Sequence, residues 1–546
     1  MEWAHSANSR GQRQPLVDHL NQVALLASEL ASAFNAGEVA AYLGLWHDVG
    51  KFSPEFQDYL VRAEANAGER RRHVGHKMAG AKVAENYGGI LAFVVMGHHG
   101  GLPDQAELKR LLREARVSAA IGEAIERAKS ALPSLEPAVK LAFPAHVPSD
   151  PLAAELFLRL LFSALVDADF LDTEAHFAPE RSEMRGVEYK IGYLWEQFQR
   201  HHDALVAEAT DSLVNRARRE VYEACLAAAG RPPGLFRLTV PTGGGKTLSS
   251  MAFALRHALL HGQRRVIVAV PFITITEQTA DVYRAIFGLD GSGRSLVLEH
   301  HSGIEPRMAD GEGDVAPSKI WPRLAAENWD APVIVTTTVQ LFESLFAANP
   351  SKARKVHRLA RSVIILDEAQ SLPIHLLQPI LDALSELCRH YGSTVVLSTA
   401  TQPTFECLAP FASLPATEIV PGPARHFEAL KRVTYEWRVE KPLSWDEVAD
   451  LMRREPQALA VVNTKRDALA LLQALDDPAA LHLSTSLCGA HRRQVMKDVR
   501  QRLSFGRSCH LVSTQVVQAG VDLDFPLVLR AMGPLDGIIQ AAGRCN

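Results

Sequence analysis

The sequence predicts a multidomain protein: an all-α N-terminal domain followed by two α/β domains built on parallel sheets, the second incomplete. Three observations carry this. Apolar residues recur at helical spacing up to about residue 200, as in Leu16, Val23, Leu26 and Leu30 and again from Leu152 to Phe170. After residue 230 short apolar strands alternate with helices, the pattern of a parallel sheet wound by helices. A second such series opens after Pro421-Gly422-Pro423 and stops at Asn546. The 546 residues leave room for three or four domains.

The strands expected in the first series are Leu235–Val240, Val266–Val270, Val333–Thr337, Val363–Leu366 and Thr394–Leu397. Those expected in the second are Val433–Trp437, Ala458–Val462, Leu481–Ser484, His510–Ser513 and Leu527–Arg530. The predicted domains are 1–200, 201–425 and 426–546.

The composition is that of a globular protein, 47% hydrophobic and 22% charged. A net charge of −4 gives no global field that would draw nucleic acid, so any such grip must come from local basic stretches. The candidates are Arg70 to Arg72, Arg216 to Arg219, Lys352 to Arg358 and His491 to Arg493, a kind of stretch that is usually a solvated helix face. Six scattered cysteines (225, 388, 407, 488, 509 and 545) form no CxxC pair. They argue against a zinc ribbon or disulfide framework and fit a reducing, cytoplasmic setting. The N-terminus is not a signal peptide, and the apolar run Ile90 to Met96 is far short of the roughly 20 residues of a membrane span.

The stretch Pro241-Thr242-Gly243-Gly244-Gly245-Lys246-Thr247 lies between a predicted strand and a predicted helix. Glycines let backbone N–H groups converge on phosphate oxygens, and the helix N-terminus adds its positive end. Lys246 would reach the β- and γ-phosphates of ATP and Thr247 would hold Mg²⁺. The full phosphate-loop pattern has a further glycine before this stretch, which the chain lacks. Downstream, Asp367-Glu368-Ala369-Gln370 ends an apolar strand. There Asp367 suits Mg²⁺ and Glu368 suits the attacking water. Ser398-Thr399-Ala400-Thr401 ends the next strand with hydroxyls able to link the nucleotide site to a neighbouring domain. Gly520-Val521-Asp522-Leu523-Asp524 and Gln540-Ala541-Ala542-Gly543-Arg544 follow, and an arginine brought to the γ-phosphate from a second domain stabilises transition-state charge.

A second constellation lies in the helical region. His47-Asp48 ends a helical stretch and precedes Val49-Gly50-Lys51. Adjacent imidazole and carboxylate suit a two-metal centre, whose ions sit ~3.5–4 Å apart and stabilise both oxygens of a phosphodiester displacement. His19 shares a face with Leu16, Val23 and Leu26; His76, the pair His98-His99, and Asp167 and Asp169 supply further ligand types. One buried histidine is ordinarily a core residue. Five such clusters in apolar surroundings are costly unless paired or metal-bound. The set suits Mn, Fe, Co, Ni or Zn without choosing among them.

The ordered motifs resemble superfamily-2 helicases with two RecA-like domains. Within them the chain is similar to the CRISPR-associated helicase–nuclease of type I interference systems. The resemblance rests on Pro271 to Gln278, Thr336 to Glu343, Asp367 to Pro373 and Ser398 to Pro403. The helical region resembles the HD phosphohydrolases, a domain that the same helicase–nuclease carries at its N-terminus. The resemblance implies metal ligation by His19, His47, Asp48, His76, His98, His99 and Asp169, with Asp169 preferred over Asp167 because Ala168-Asp169-Phe170 resembles the family's Ala-Asp-aromatic segment. His73 is a weaker substitute for His76. Lys51 would contact the scissile phosphate. Asp48 and Lys51 at one centre and Glu368 and Arg544 at the other are the implied catalytic residues. Thr242, Gly243, Gly244, Gly245, Lys246, Thr247, Asp367, Gln370, Asp522 and Gln540 are the implied nucleotide contacts. Phe272, Thr337, Thr338 and Asn463 would lie near a single-stranded DNA track.

The implied protein is an ATP-driven single-stranded DNA translocase that feeds a two-metal nuclease in antiviral defence. A CRISPR surveillance complex would recruit it, and the guide RNA would read the target. The family pattern continues past Arg544 with a further arginine and an accessory domain, whereas this chain ends at Asn546. The expectation is weak or absent translocation, with nuclease activity intact if the N-terminal domain folds alone. Two other readings stand beside it: an HD phosphohydrolase of small nucleotides with a regulatory ATPase, and a binding module without turnover.

Overall fold

The computed structural model describes residues 2–65, 74–147, 149–186, 189–304, 317–517 and 523–545. The N-terminal domain is helical, as expected, except for one short antiparallel ribbon, β1 (Trp3–His5) against β2 (Gln14–Pro15). The ribbon is too short to show a period-2 signal, and it is held in place by the helices beneath it. Helix Leu16–Ala31 packs on Gly37–Trp46. The approach is so close that a Cβ on Gly44 would lie 2.5 Å from Ala24 Cα. Helix Pro151–Phe177 packs on both of these and on Gly89–Gly100. Its N-terminus is capped by Asp150, which accepts from Leu152 N at 2.8 Å, satisfying one free N–H of the first turn. Its buried Leu156, Phe157, Leu160, Leu161 and Leu165 form the domain's centre.

The second domain holds a seven-stranded parallel sheet. Its strands are β3 (Leu235–Thr239), β4 (Arg265–Val270), β5 (Val297–His300), β6 (Val333–Thr337), β7 (Ser362–Asp367), β8 (Thr394–Thr399) and β9 (Thr417–Glu418), in the order β5-β6-β4-β7-β8-β3-β9. The central strands read as unbroken apolar runs because helices cover both faces. All five predicted strands are present. The two edge strands β5 and β9 carry no such run and left no signal.

The third domain has a four-stranded parallel sheet, β11-β12-β10-β13, with β10 Gln457–Val461, β11 Leu481–Leu483, β12 Cys509–Ser513 and β13 Leu527–Arg530. The expected strand Val433–Trp437 is a correction: this stretch has no sheet partner and is mostly exposed. Its alternating Tyr435 and Trp437, which mimicked a strand, instead stack on each other with centroids 6.2 Å apart.

Helix Ile191–Glu208 packs on Lys246–His261 and Ile273–Phe287, so the helical run passes into the second domain before it ends. The first two domains share one continuous core. Among the described residues no helix is long and apolar enough to cross a membrane.

Candidate functional site

Two clusters stand out. The first is built by the close helix packing of the N-terminal domain. His47 and Asp48 follow directly on helix Gly37–Trp46, and His76 directly precedes helix Lys77–Glu85. A Cβ on Gly50 would lie 2.0 Å from the His76 carbonyl oxygen, and one on Gly80 1.8 Å from that of Trp46. Only glycine allows the two segments to meet this closely. The same packing brings in His19 from Leu16–Ala31, His98 and His99 from Gly89–Gly100, and Asp169 from Pro151–Phe177.

Asp48 is the centre, fully buried. Its Oδ1 lies 3.2 Å from His76 Nε2, 3.4 Å from His98 Nε2 and 3.8 Å from His99 Nε2. Its Oδ2 lies 3.3 Å from His47 Nε2 and 3.5 Å from His19 Nε2. Asp169 Oδ1 closes the second group at 3.6 Å from His19 Nε2 and 3.7 Å from His47 Nε2. Asp48, His76, His98 and His99 form one set of ligand atoms and His19, His47 and Asp48 a second that shares its carboxylate, while Asp169 groups with His47 and His98; within each set the atoms fall within 4.8 Å of one another. All seven residues expected as ligands are gathered here.

The far sides of the rings are anchored. His47 Nδ1 donates to Gly44 O at 2.7 Å and His98 Nδ1 to Val95 O at 2.6 Å, which turns each Nε2 toward the centre. His19 Nδ1 meets Asp172 Oδ2 at 2.6 Å, and Gln14 donates to the same oxygen at 2.7 Å. Asp48 Oδ1 and His98 Nε2 are buried and approach each other without forming a hydrogen bond. Buried ligand atoms without such partners fit a divalent cation well.

The charges agree. Burial would raise the Asp48 carboxyl, but Lys51 and the His47 and His76 imidazoles hold it well below the usual range. Burial would lower His47, and the Asp48 and Asp169 carboxylates override it, raising the imidazole to about 10. Burial and the His98 ring push His99 down to about 3.

Lys51 lies beside the cluster. Its ammonium is buried, donating to Ala4 O on β1 at 3.1 Å and pairing with Asp48 Oδ2 at 2.5 Å. It faces the carboxylate, where its charge offsets that of Asp48. Asp167, the alternative to Asp169, points away from the cluster and pairs with Arg354 Nε at 2.8 Å. Sequence reasoning missed Asp172, which three residues beyond Asp169 had to share its helical face. His73 lies outside the described residues.

The second cluster sits at the carboxyl ends of β7, β8 and β3. That order makes the acidic pair, the Ser398–Thr401 stretch and the phosphate loop neighbours. Gly243 and Gly245 have φ of 81° and 85°, a left-handed conformation that favours glycine. Lys246 Nζ donates to Glu368 Oε1 at 2.8 Å and lies 3.8 Å from Asp367 Oδ1. Ser398 Oγ donates to Asp367 at 3.1 Å, Gln370 Nε2 to Glu368 Oε2 at 2.7 Å, and Thr399 Oγ1 to Gln370 Oε1 at 2.5 Å. Thr247 O accepts from Tyr283 Oη at 3.2 Å.

Across the cleft, helix Leu535–Ala542, which bears Gln540, ends at Gly543, where a Cβ would lie 3.1 Å from Thr242 Oγ1. Arg544 is buried just beyond it, and its charge acts on both Lys246 and Glu368. Gly244 packs on Val240 and the Pro241 carbonyl, within the turn that enters the loop. Asp522 lies outside the described residues.

A cleft of about 360 Å³ on another side of these two domains is lined by Phe272, Thr337, Gln340, Thr485, Arg492 and Val516, among others. Phe272 is 47% exposed there. Thr338 is buried, and Asn463 is tied into its own domain by Arg530 Nη1 at 2.7 Å and by its donation to Met532 O at 2.7 Å. Of the basic stretches, Arg70 to Arg72 lie outside the described residues. Lys352 to Arg358 is a correction: Arg354, Lys355 and His357 are buried in the seam between the first two domains and offer no open face.

Residues 3–167 match the family model for the Cas3 HD domain, 216–407 the DEAD/DEAH box helicase model, and 454–546 the C-terminal model of the CRISPR-associated nuclease/helicase Cas3. The CRISPR-associated nuclease/helicase Cas3 of Haloferax volcanii is 27% identical over 438 residues, covering 61% of this chain and 47% of the relative. The chain thus spans about half the length of that relative. The T. fusca Cas3 crystal structure covers the whole chain and 72% of its own, with a TM-score of 0.66 and 18% identity. A chain of a CRISPR RNA-guided surveillance complex in a pre-nicking state covers the whole chain and 71% of its own, with a TM-score of 0.58 and 18% identity. At this identity the structural likeness speaks for the fold. The HD and DEAD segments indicate use of divalent metal and of ATP.

Proposed function

Because the chain belongs to the Cas3 nuclease/helicase family, we propose that it couples ATP-driven movement on single-stranded DNA to metal-dependent cutting of that strand. The observation that carries this is Asp48, whose two oxygens face two separate sets of histidines within one buried pocket. His19, His47 and Asp169 would hold one ion and His76, His98 and His99 the other, with Asp48 between them. Two divalent ions, from the Mn, Fe, Co, Ni or Zn series, would supply Lewis acidity and a reactive water at neutral pH. The chain's own part is positional. Gly44 O, Val95 O and Asp172 fix the ring orientations, and Lys51 keeps Asp48 ionised. His99, the exposed member, marks the side from which a strand would enter.

In the motor, the glycine loop and Lys246 would bind the triphosphate, Thr247 and Asp367 would hold Mg²⁺, and Glu368 would orient the attacking water. Arg544 and Asp522 would complete the site from the third domain, which makes hydrolysis depend on cleft closure. The exposed Phe272 ring and Arg492 suit a strand track, since an aromatic face stacks any base and an arginine meets its phosphate. The fold of the pre-nicking complex supports recruitment by a guide-RNA surveillance complex.

The test compares wild type, Asp48→Ala and Lys246→Ala, on circular single-stranded DNA with Mn²⁺ and for DNA-stimulated ATP hydrolysis. Asp48→Ala should abolish cutting and spare hydrolysis, and Lys246→Ala should do the reverse. Hydrolysis of free nucleotides by the HD pocket with no cutting of DNA would overturn the nuclease reading. Binding of DNA with neither activity would overturn both halves.

A further inference from the structure

The helix that carries Asp169 is gripped from behind by the motor. Asp169 and Asp172 lie on one face of Pro151–Phe177, aimed at His47 and His19. Asp167, two residues and therefore about 200° around the helix from Asp169, faces the other way. Ser163, Asp167 and Phe170 form that opposite face, and all three are held by the ATP-binding domain. Arg354 Nε donates to Asp167 Oδ1 at 2.8 Å, and Asn328 Nδ2 donates to Oδ2 at 3.1 Å. The same guanidinium lies 4.7 Å over the Phe170 ring and donates to Glu327 Oε2 at 3.0 Å. Ser163 Oγ accepts from His357 N at 2.9 Å.

The segment that supplies Arg354 also braces the other half of the cluster. Ala348 O accepts from Leu102 N at 3.0 Å, just past the helix that bears His98 and His99. Gly101 leaves room for it, since a Cβ there would lie 3.0 Å from that carbonyl. Upstream the segment continues from helix Thr338–Leu345, whose N-cap Thr337 lines the interdomain cleft. A buried charge pair adds little net stability compared with apolar packing; here its directional contacts tie one face of the helix to Arg354 and Asn328.

We propose that Arg354 is a positioning residue of the metal centre, acting through Asp167 on the helix that presents Asp169. The proposal rests on the reading that the cluster holds divalent ions. Asp167 is then a positioning residue too, not a ligand.

The experiment titrates the metal-free full chain with Co²⁺ and follows the visible ligand-field spectrum, with ATP hydrolysis as a check on the fold. Asp167→Asn preserves shape and leaves Arg354 paired with Glu327, so it guards against simple misfolding of Arg354→Met. Each single change should weaken Co²⁺ uptake about 10-fold and alter the band intensities. The double variant should be no weaker than Arg354→Met alone, because both changes act through one contact. Arg354→Lys should recover most of the affinity, and ATP hydrolysis should stay within about twofold of wild type. Affinities and spectra of both single variants equal to wild type would overturn the inference alone. A wild type that takes up no Co²⁺ would overturn it together with the metal reading.

Discussion

Lys246 Nζ donates to Glu368 Oε1 at 2.8 Å, so the phosphate-loop lysine and the second carboxylate of the acidic pair share one hydrogen bond. Burial would raise Glu368, while Lys246 and the Gln370 amide hold it below its ordinary value. The carboxylate is thus kept ionised, as the proposed role of orienting a water requires.

Glu368→Gln should therefore lower kcat for ATP hydrolysis by about 10²–10⁴ while ATP-analogue binding persists. Steady-state hydrolysis beside fluorescent nucleotide titration checks this. A variant that hydrolyses ATP at the wild-type rate removes Glu368 from the reaction.

Arg544 belongs to a different domain from Lys246, yet its charge reaches both Lys246 and Glu368. Arg544→Ala should reduce DNA-stimulated kcat by about 10³ or more with little change in KM for ATP. Arg544→Lys should not rescue it, because a point charge does not reproduce the guanidinium fork. A rise in KM at constant kcat would mark Arg544 as a binding residue only.

Gly80→Ala would press a Cβ to 1.8 Å from the Trp46 carbonyl oxygen, a backbone atom that cannot swing aside. The two segments bearing His47 and His76 must separate. The expected cost is about 1–3 kcal/mol, read as a lower urea midpoint, with loss of Mn²⁺ binding in the same protein. A wild-type midpoint with intact Mn²⁺ binding would show that the contact is soft.

His257 gives a pH dependence away from both sites. Its Nδ1 donates to Ala229 O at 2.9 Å, and its Nε2 lies 2.8 Å from Thr394 Oγ1, which donates to the neutral ring. Burial lowers its pKa to about 4 from 6.5. Between these values the unfolded chain binds the extra proton, so stability is full above pH ~6.5 and is lost as pH falls toward 4, by about 2–3 kcal/mol. Urea midpoints across this range should be flatter in His257→Gln than in wild type. Parallel curves would assign the acid sensitivity to other groups.

The sequence made the central strands, the glycine loop and the cluster of candidate ligands legible for different reasons. Strands β4, β6 and β7 announce themselves because both faces are buried and every position is apolar. The cluster was legible because imidazoles and carboxylates rarely stand within apolar helices without a partner. Residues whose meaning depends on a distant partner were not. Arg354 reads as part of a basic run, and only the fold shows Asp167 behind it. Val433–Trp437 reads as a strand because alternation reports side-chain pattern and not the presence of a neighbouring backbone. Gly50 and Gly80 carry no local signal, since their role is to admit a carbonyl from another segment.

The seam at Ser163, Asp167 and Phe170 bears on how the molecule can be divided. A fragment stopping near residue 200 would hold every ligand candidate, yet it would strip Asp167 of Arg354 and Asn328 and turn a dry, charged helix flank toward water. The N-terminal half is therefore no detachable cartridge: its geometry is finished by polypeptide synthesised some 150 residues later, and severing the two should loosen the clustered histidines and carboxylates.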